Sequence, residues 1–332
     1  MQEDQWSRTR RALLARLGQG ALGLAAWSVA PALRAQDRPI RMILPLSVGS
    51  GVDTITRAFS PALAQALGQP VVVENQPGAG GIVGTQALVR ATPDGLTLGM
   101  VSNNHVIFPT VFKSLPFDPL KDITPISVVG ASPLLVVANP QRIPARDVDG
   151  VVALLKAKPG HYNHASSGNG TILHLAVEMF LQRAGVQTRH IPYKGVGPMV
   201  TDLIGGQVDI GVLSLPSVQT QLQAGTLRAI GVCDLARTPA APDIPTIAEQ
   251  GMDGFEVAGW FAAVAPAGLS GTQVQRVYGG LQRAFDDARV KAAMAAQGNT
   301  IWLRDPAATA AFFEAERRKY AQVAQAAGLQ AT

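Results

Sequence analysis

The sequence predicts an α/β fold of two lobes, each a mostly parallel sheet flanked by helices, with a ligand cleft between them. Three observations carry this reading. Short apolar strands alternate with amphipathic helices through most of the chain, the pattern of a parallel sheet covered on both faces. The cycle runs twice, separated by the apolar stretch Val128–Asn139. Several predicted strands end in loops of glycine and hydroxyl residues that open helices, and sheets of this class place ligands beyond such strand ends.

The chain begins with a segment that does not belong to the fold. Arg8, Arg10, Arg11, Arg16 and Arg34 accompany an apolar run from Ala12 to Val29. This is a basic region followed by a hydrophobic one, too short and too glycine-interrupted for a membrane span. Residues 1–35 are therefore expected to be an export signal, with the mature chain starting near Gln36 in the periplasm. Arg10-Arg11 within Thr9–Leu14 fits twin-arginine export, and a general secretory signal has a similar pattern. That segment holds five of the 28 basic and two of the 23 acidic residues, which leaves 23 against 21. No basic cluster remains for nucleic acid. Cys233 is the only cysteine, so a large core has to replace disulfide staples.

Arg41–Leu44 reads as a buried strand, and Pro45-Leu46-Ser47-Val48-Gly49-Ser50-Gly51 is its tip. A helix follows with Val52, Ile55, Phe59, Leu63 and Leu67 on one face and Gly68 as its stop, and Pro61 should kink or split it. Val71–Val73 is the next strand, leading into Gln76–Gly81 and a short helix. Pro93-Asp94-Gly95 turns into the strand Leu96–Val101, whose polar tip is Ser102-Asn103-Asn104. After Val128–Asn139 comes a helix over Val148–Lys158, then a short strand ending near Ala165. The loop Ser166-Ser167-Gly168-Asn169-Gly170-Thr171 opens a helix that runs to Gly185, with Ile172, Leu173, Ala176 and Phe180 on its apolar face. Arg189–Ile191 is a strand before Pro192-Tyr193-Lys194-Gly195, and Val208–Leu213 and Leu227–Val232 are further strands. Val257–Ala265 is apolar around Trp260. Ser270 and Gln273 fit a capping box, and Pro306–Ala327 closes the chain as a helix. Lobe one is expected to comprise residues 38–130 with about 258–332, and lobe two 131–257. Hinges are expected near 128–139 and 254–265.

A glycine-rich loop entering a helix aims free backbone N–H groups and the positive end of a dipole at one place, which suits a carboxylate. Three such loops without a cluster of fixed cations favour one or two carboxylates over a polyphosphate. Enzyme signatures fail on spacing. Val83 occupies the third-glycine position of a dinucleotide fingerprint after Gly78 and Gly80, and neither a phosphate-binding Gly-Lys-Ser/Thr nor a Gly-x-Ser-x-Gly elbow occurs. His161 and His164 are three apart in a predicted loop and read as polar surface residues rather than metal ligands. His174 stands four before Glu178, so a helical ion pair competes with a ligand role. Asp53 in a first helical turn fits the dipole as well as a ligand, Lys194 either pairs with an anion or is solvated, and Trp260 lines the cleft or fills core.

Val71-Val72-Val73-Glu74-Asn75-Gln76-Pro77-Gly78-Ala79-Gly80-Gly81, Pro93-Asp94-Gly95, Ser166–Thr171 with His174-Leu175, Pro192-Tyr193-Lys194-Gly195, Pro245–Glu249 and Trp260–Pro266 together resemble the Bug family. These are periplasmic solute-binding components of tripartite tricarboxylate transporters, and the resemblance covers nearly everything after the signal. It implies a two-lobed, type II-like periplasmic-binding-protein fold without catalysis, cofactor or metal. It also implies capture of a small di- or tricarboxylate, acidic amino acid or aromatic acid by a monomer that serves membrane transporter subunits. Ser47, Val48, Gly49, Ser50 and Asp53 occupy the place of the family's first carboxylate loop, where Gly49 and Asp53 match its pattern, and Ser167, Gly168, Asn169, Gly170 and Thr171 occupy that of its second. Asn103, His174, Lys194 and Trp260 complete the expected ligand set. The family's first loop is Pro-x-x-Pro-Gly-Gly-x-x-Asp. Val48 and Ser50 depart from its second proline and second glycine, and Val52 stands where a small hydroxyl residue is common. The same fold also serves as a sensor module on receptor kinases, an alternative that the residues leave open.

Overall fold

The computed structural model describes residues 38–326. The expected export signal lies outside the described residues. Among those described, no helix is long and apolar enough to cross a membrane.

Lobe one starts with β1 (Ile40–Leu44), α1 (Gly51–Leu67) and β2 (Val71–Asn75). A 3₁₀ turn over Ala79–Gly81 and α2 (Ile82–Val89) lead to β3 (Thr97–Ser102) and α3 (Asn104–Val111). β4 (Ile123–Ala138) is a single strand of 16 residues. Lobe two follows as α4 (Val148–Ala157), β5 (Asn163–Ser166), α5 (Ile172–Ala184), β6 (Arg189–Pro192), α6 (Val196–Ile204), β7 (Ile210–Ser214), α7 (Leu215–Gln223) and β8 (Arg228–Val232). The chain then returns through β9 (Ala258–Pro266) to α8 (Gly271–Asp286), α9 (Ala288–Ala296), β10 (Thr300–Ile301) and α10 (Pro306–Ala326).

The strand order is β2-β1-β3-β9-β4-β7-β5-β6, with β8 and β10 also on β4. Pairing is parallel at the two wings, β2-β1-β3 and β7-β5-β6, where helical crossovers join the strands. It is antiparallel wherever β4 or β9 takes part. The sheet is therefore mixed rather than mostly parallel in each lobe, because β4 and β9 carry the chain between the lobes in opposite directions. β4 joins both halves. Up to Pro133 it pairs with β9, and from Leu134 it pairs with β7 and β8. The return is similarly abrupt: Val257 N–H donates to Cys233 O at 2.6 Å, and Ala258 already belongs to β9.

α1 begins at Ser50, whose hydroxyl accepts the Asp53 N–H, and stops at the left-handed Gly68. Pro61 does not split it. The stripe Val52, Ile55, Phe59 and Leu63 is fully buried, and Phe59 packs against Phe285 of α8 with ring centroids 4.9 Å apart. Burying that stripe outweighs the one backbone hydrogen bond that proline removes.

Candidate functional site

The N-terminal turns of α1, α3, α5, α6 and α7 converge where the lobes meet. They surround an inner cavity of about 50 Å³ lined by Leu46, Ser50, Gly51, Val52, Ser102, Asn103, Asn104, Leu134, Ile172, Leu173, Val196, Ser214, Gly259 and Phe261. Among the described residues, no ionisable side chain lines it. The helix dipoles aimed at it favour an anion, while aliphatic and phenyl groups shape its walls. An outer cavity of about 360 Å³ lies beside Gly78–Gly81, Ser47, Gly168, Asn169, Tyr193 and Lys194.

The lobes are clasped across this space. The Ile172 N–H, first in α5, donates to Asn104 Oδ1 at 2.8 Å, and Asn104 Nδ2 donates to Gly80 O at 3.1 Å. The Val196 N–H, first in α6, donates to Ser47 Oγ at 2.9 Å. Two helix N-termini of lobe two are thus met by neutral oxygens from lobe one.

The expected ligand residues divide by what already occupies their polar atoms. Gly49 N–H donates to Asp53 Oδ2 at 3.0 Å, and Asp53 Oδ1 accepts Arg57 Nε at 2.8 Å. Asp53 is buried and holds its own loop and helix together. Ser50 caps α1 and lines the inner cavity. Val48 is 63% exposed and, like Gly49, lines neither cavity, whereas Ser47 and Ser50 each line one. Asn103 lines the inner cavity, but its amide is committed. It donates to Ala258 O and to the Tyr320 hydroxyl and accepts the Trp260 N–H. Trp260 is core: its indole donates to Glu316 Oε2 at 2.7 Å and stacks on Phe313.

In the second loop, Thr171 is the N-cap of α5. Its hydroxyl donates to Gly168 O at 2.8 Å and accepts the His174 N–H and the Ser167 hydroxyl. Gly168 and Asn169 sit on the outer cavity with the exposed Lys194. Gly170 has φ +72°, and a Cβ there would come within 2.3 Å of Val111 Cγ2 in lobe one. Glycine is required at that position.

Sequence reasoning missed Asn104 as the clasp, although it marked the Ser102–Asn104 tip. It also missed Gly51, where a Cβ would fall 2.8 Å from Ser214 Oγ across the cleft. The histidines differ too. His164 is buried in β5, not on a surface loop, and lies apart from the exposed His161. Its ring stacks on His190, and His190 stacks on His174, with centroids 4.8 and 4.1 Å apart. Glu178 Oε1 lies 3.0 Å from His164 Nε2 and 3.5 Å from His174 Nε2. Hydrogen bonds from those two rings hold the Glu178 carboxyl far below the usual carboxylate range. Burial, reinforced by the neighbouring rings, lowers the His190 pKa to about 4.

Residues 55–329 match the model of the tripartite tricarboxylate transporter family receptor. The chain belongs to that family. BugT of Bordetella pertussis is 36% identical over 293 residues, covering 88% of this chain and 90% of BugT. A protein encoded in the tcbD-tcbE intergenic region of Pseudomonas sp. strain P51 is 34% identical over 286 residues, covering 86% and 84%. The structure of the periplasmic binding protein BugD superposes with a TM-score of 0.86 at 30% identity, covering 89% of this chain and 99% of BugD. An R. palustris protein solved with adipate gives 0.86 at 26% identity, covering 89% and 99%. MatC from Rhodopseudomonas palustris with bound malate gives 0.80 at 27%, covering 86% and 98%. The family is one of periplasmic solute-binding receptors rather than enzymes, which fits a cleft built on backbone donors.

Proposed function

We propose that this receptor captures a small organic acid between its lobes and delivers it to the membrane subunits of a tripartite tricarboxylate-type transporter. The observation that carries the reading is the convergence of five helix N-termini on a cavity without ionisable side chains. A carboxylate there gains backbone N–H bonds and the dipoles of several helices, and it needs no counter-ion from a side chain. It displaces Asn104 Oδ1 and Ser47 Oγ from the Ile172 and Val196 N–H groups. The hydroxyls of Ser50, Ser102 and Ser214 then orient it, and the aliphatic lining accommodates its carbon skeleton. The bound adipate and malate of two structural relatives support a di-acid of about that size. The segments around Pro133–Leu134 and Val257–Ala258 serve as the hinges, and residues 1–35 as the export signal.

Mass spectrometry of acid released from the purified protein, with thermal-shift measurements against a carboxylate panel, tests the reading. A bound or stabilising organic acid is expected, with the melting temperature rising with its concentration. Stabilisation by sugars or nucleotides alone, with no response to any acid, would overturn it.

A further inference from the structure

The histidine stack touches the second loop at two amides. Gly170 N–H donates to His174 Nδ1 at 3.3 Å. Gly168 N–H donates to Ser166 Oγ at 3.3 Å, and that hydroxyl lies 2.7 Å from His190 Nε2. The remaining ring, His164, has its Nδ1 2.7 Å from Thr188 Oγ1. The titratable groups facing one another here are therefore His164 from β5, His174 and Glu178 from α5, and His190 from β6.

Four such groups suggest a metal centre, but the hydrogen bonds argue otherwise. A ring whose Nδ1 accepts a backbone N–H carries its proton on Nε2. In His174 that is the nitrogen nearest Glu178, the one a metal ion would need. The rings also lie within about 10° of parallel, so their lone pairs do not converge on a point as tetrahedral coordination requires. The arrangement holds protons.

We propose that His174 is the positioning group of the carboxylate loop, and that protonating it frees the Gly170 N–H for the ligand and couples capture to proton uptake. The inference rests on the reading that this loop meets a ligand carboxylate. Neutral His174 offers a lone pair at Nδ1 and keeps the Gly170 amide turned into its own lobe. A second proton on the ring turns Nδ1 into a donor, and Gly170 N–H loses its acceptor. Gly170 sits against Val111 and Phe112 of lobe one, so the residue itself lies where the lobes meet. The added charge also sits behind the helix end that receives the carboxylate. Both effects favour an anion. Glu178 remains ionised and His190 neutral through mildly acid pH, and the Glu178 carboxylate lies 3.5 Å from His174 Nε2.

Two measurements on the mature protein test this. In the ligand-free protein, the Gly170 amide and the His174 ring nitrogens are followed by ¹⁵N NMR between pH 5 and 8. They are expected to titrate together with one midpoint. In His174→Asn, whose Oδ1 keeps the acceptor but cannot titrate, the Gly170 amide should no longer move. Calorimetry with malate, a dianion at both ends of the range, is then run at pH 8 and pH 6. Affinity should rise about three- to tenfold at the lower pH for the parent, short of the limit of tenfold per pH unit for one linked proton. In His174→Asn that slope should vanish, whatever the absolute affinity. A Gly170 amide that ignores the His174 titration, or a slope surviving in His174→Asn, would overturn the proposal, as would malate binding without pH dependence. If the two groups titrate together and malate does not bind at either pH, the loop switch stands and the carboxylate-capture reading is the one that fails.

Discussion

At the scale of single residues, the loop before α5 separates side chains that shape the site from those that touch its contents. Thr171 contains a hydroxyl in a predicted anion cradle, yet both its donor and its acceptor functions are spent on Gly168 O and the His174 N–H. Thr171→Val should therefore act mainly as loss of a helix cap. Stability should fall by about 1 kcal/mol in urea titration, with affinity for a bound acid changed by less than about threefold through the loss of one indirect contact. A drop in affinity of a hundredfold at unchanged stability would instead put the hydroxyl on the ligand. Gly170 is the reverse case. Alanine there adopts a left-handed backbone at a cost of about 1–2 kcal/mol, and its methyl meets Val111 only when the lobes are together. Gly170→Ala should weaken binding at least about tenfold, a loss of about 1.4 kcal/mol. Adding Val111→Ala should recover part of that loss, because it removes the atom in the way. A Gly170→Ala protein that binds like the parent would exclude this interface from closure.

At the scale of elements, helix starts and strand tips were legible because their residue types report local needs. Ser50, Asp147, Thr171 and Ser270 each cap the helix that follows them. What a tip residue does next is not local. Asn103 and Asn104 are adjacent and chemically identical, but Asn103 bonds to residues 155 and 217 positions away and is lost to structure. Asn104 reaches the start of α5 and clasps the lobes. No spacing rule distinguishes them. The histidine stack is similar, since it depends on β5 and β6 pairing in a register that sets His164 beside His190. The clasp itself makes a prediction. Each of its two bonds to lobe two contributes about 1 kcal/mol, so Ser47→Ala with Asn104→Ala should shift the ligand-free balance toward the open form about thirtyfold. Small-angle scattering should then show a larger radius of gyration without ligand, and saturating acid should restore the compact value. An unchanged radius in the double variant would mean that other contacts hold the lobes together.

At the scale of the whole molecule, repeated strand–helix cycles revealed two α/β lobes, but the sense of the central strands was hidden. β4 reads in sequence as a plain apolar run, and only its pairing shows that it belongs to both lobes and runs antiparallel to its neighbours. Behind α3, where lobe one packs on α10, the fold buries a titratable group outside the cleft. His105 is enclosed by Phe108, Phe117 and Phe313, with Nε2 2.5 Å from Pro119 O and, among the described residues, no hydrogen-bond partner at Nδ1. Desolvation lowers its pKa from 6.5 to about 4. Above pH 6.5 the ring is neutral whether the chain is folded or not, and it contributes no pH dependence. Between 6.5 and about 4 the unfolded chain takes up a proton that the folded one refuses, so stability falls with pH. The full shift corresponds to about 3 kcal/mol. Melting at pH 7.5 and 4.5 should show the loss. His105→Gln, which retains a donor for Pro119 O but does not titrate, should flatten the acid limb relative to the parent even where it lowers stability at neutral pH. An equally steep acid limb in that variant would move the acid sensitivity elsewhere, with His190, also lowered to about 4, the next group to test.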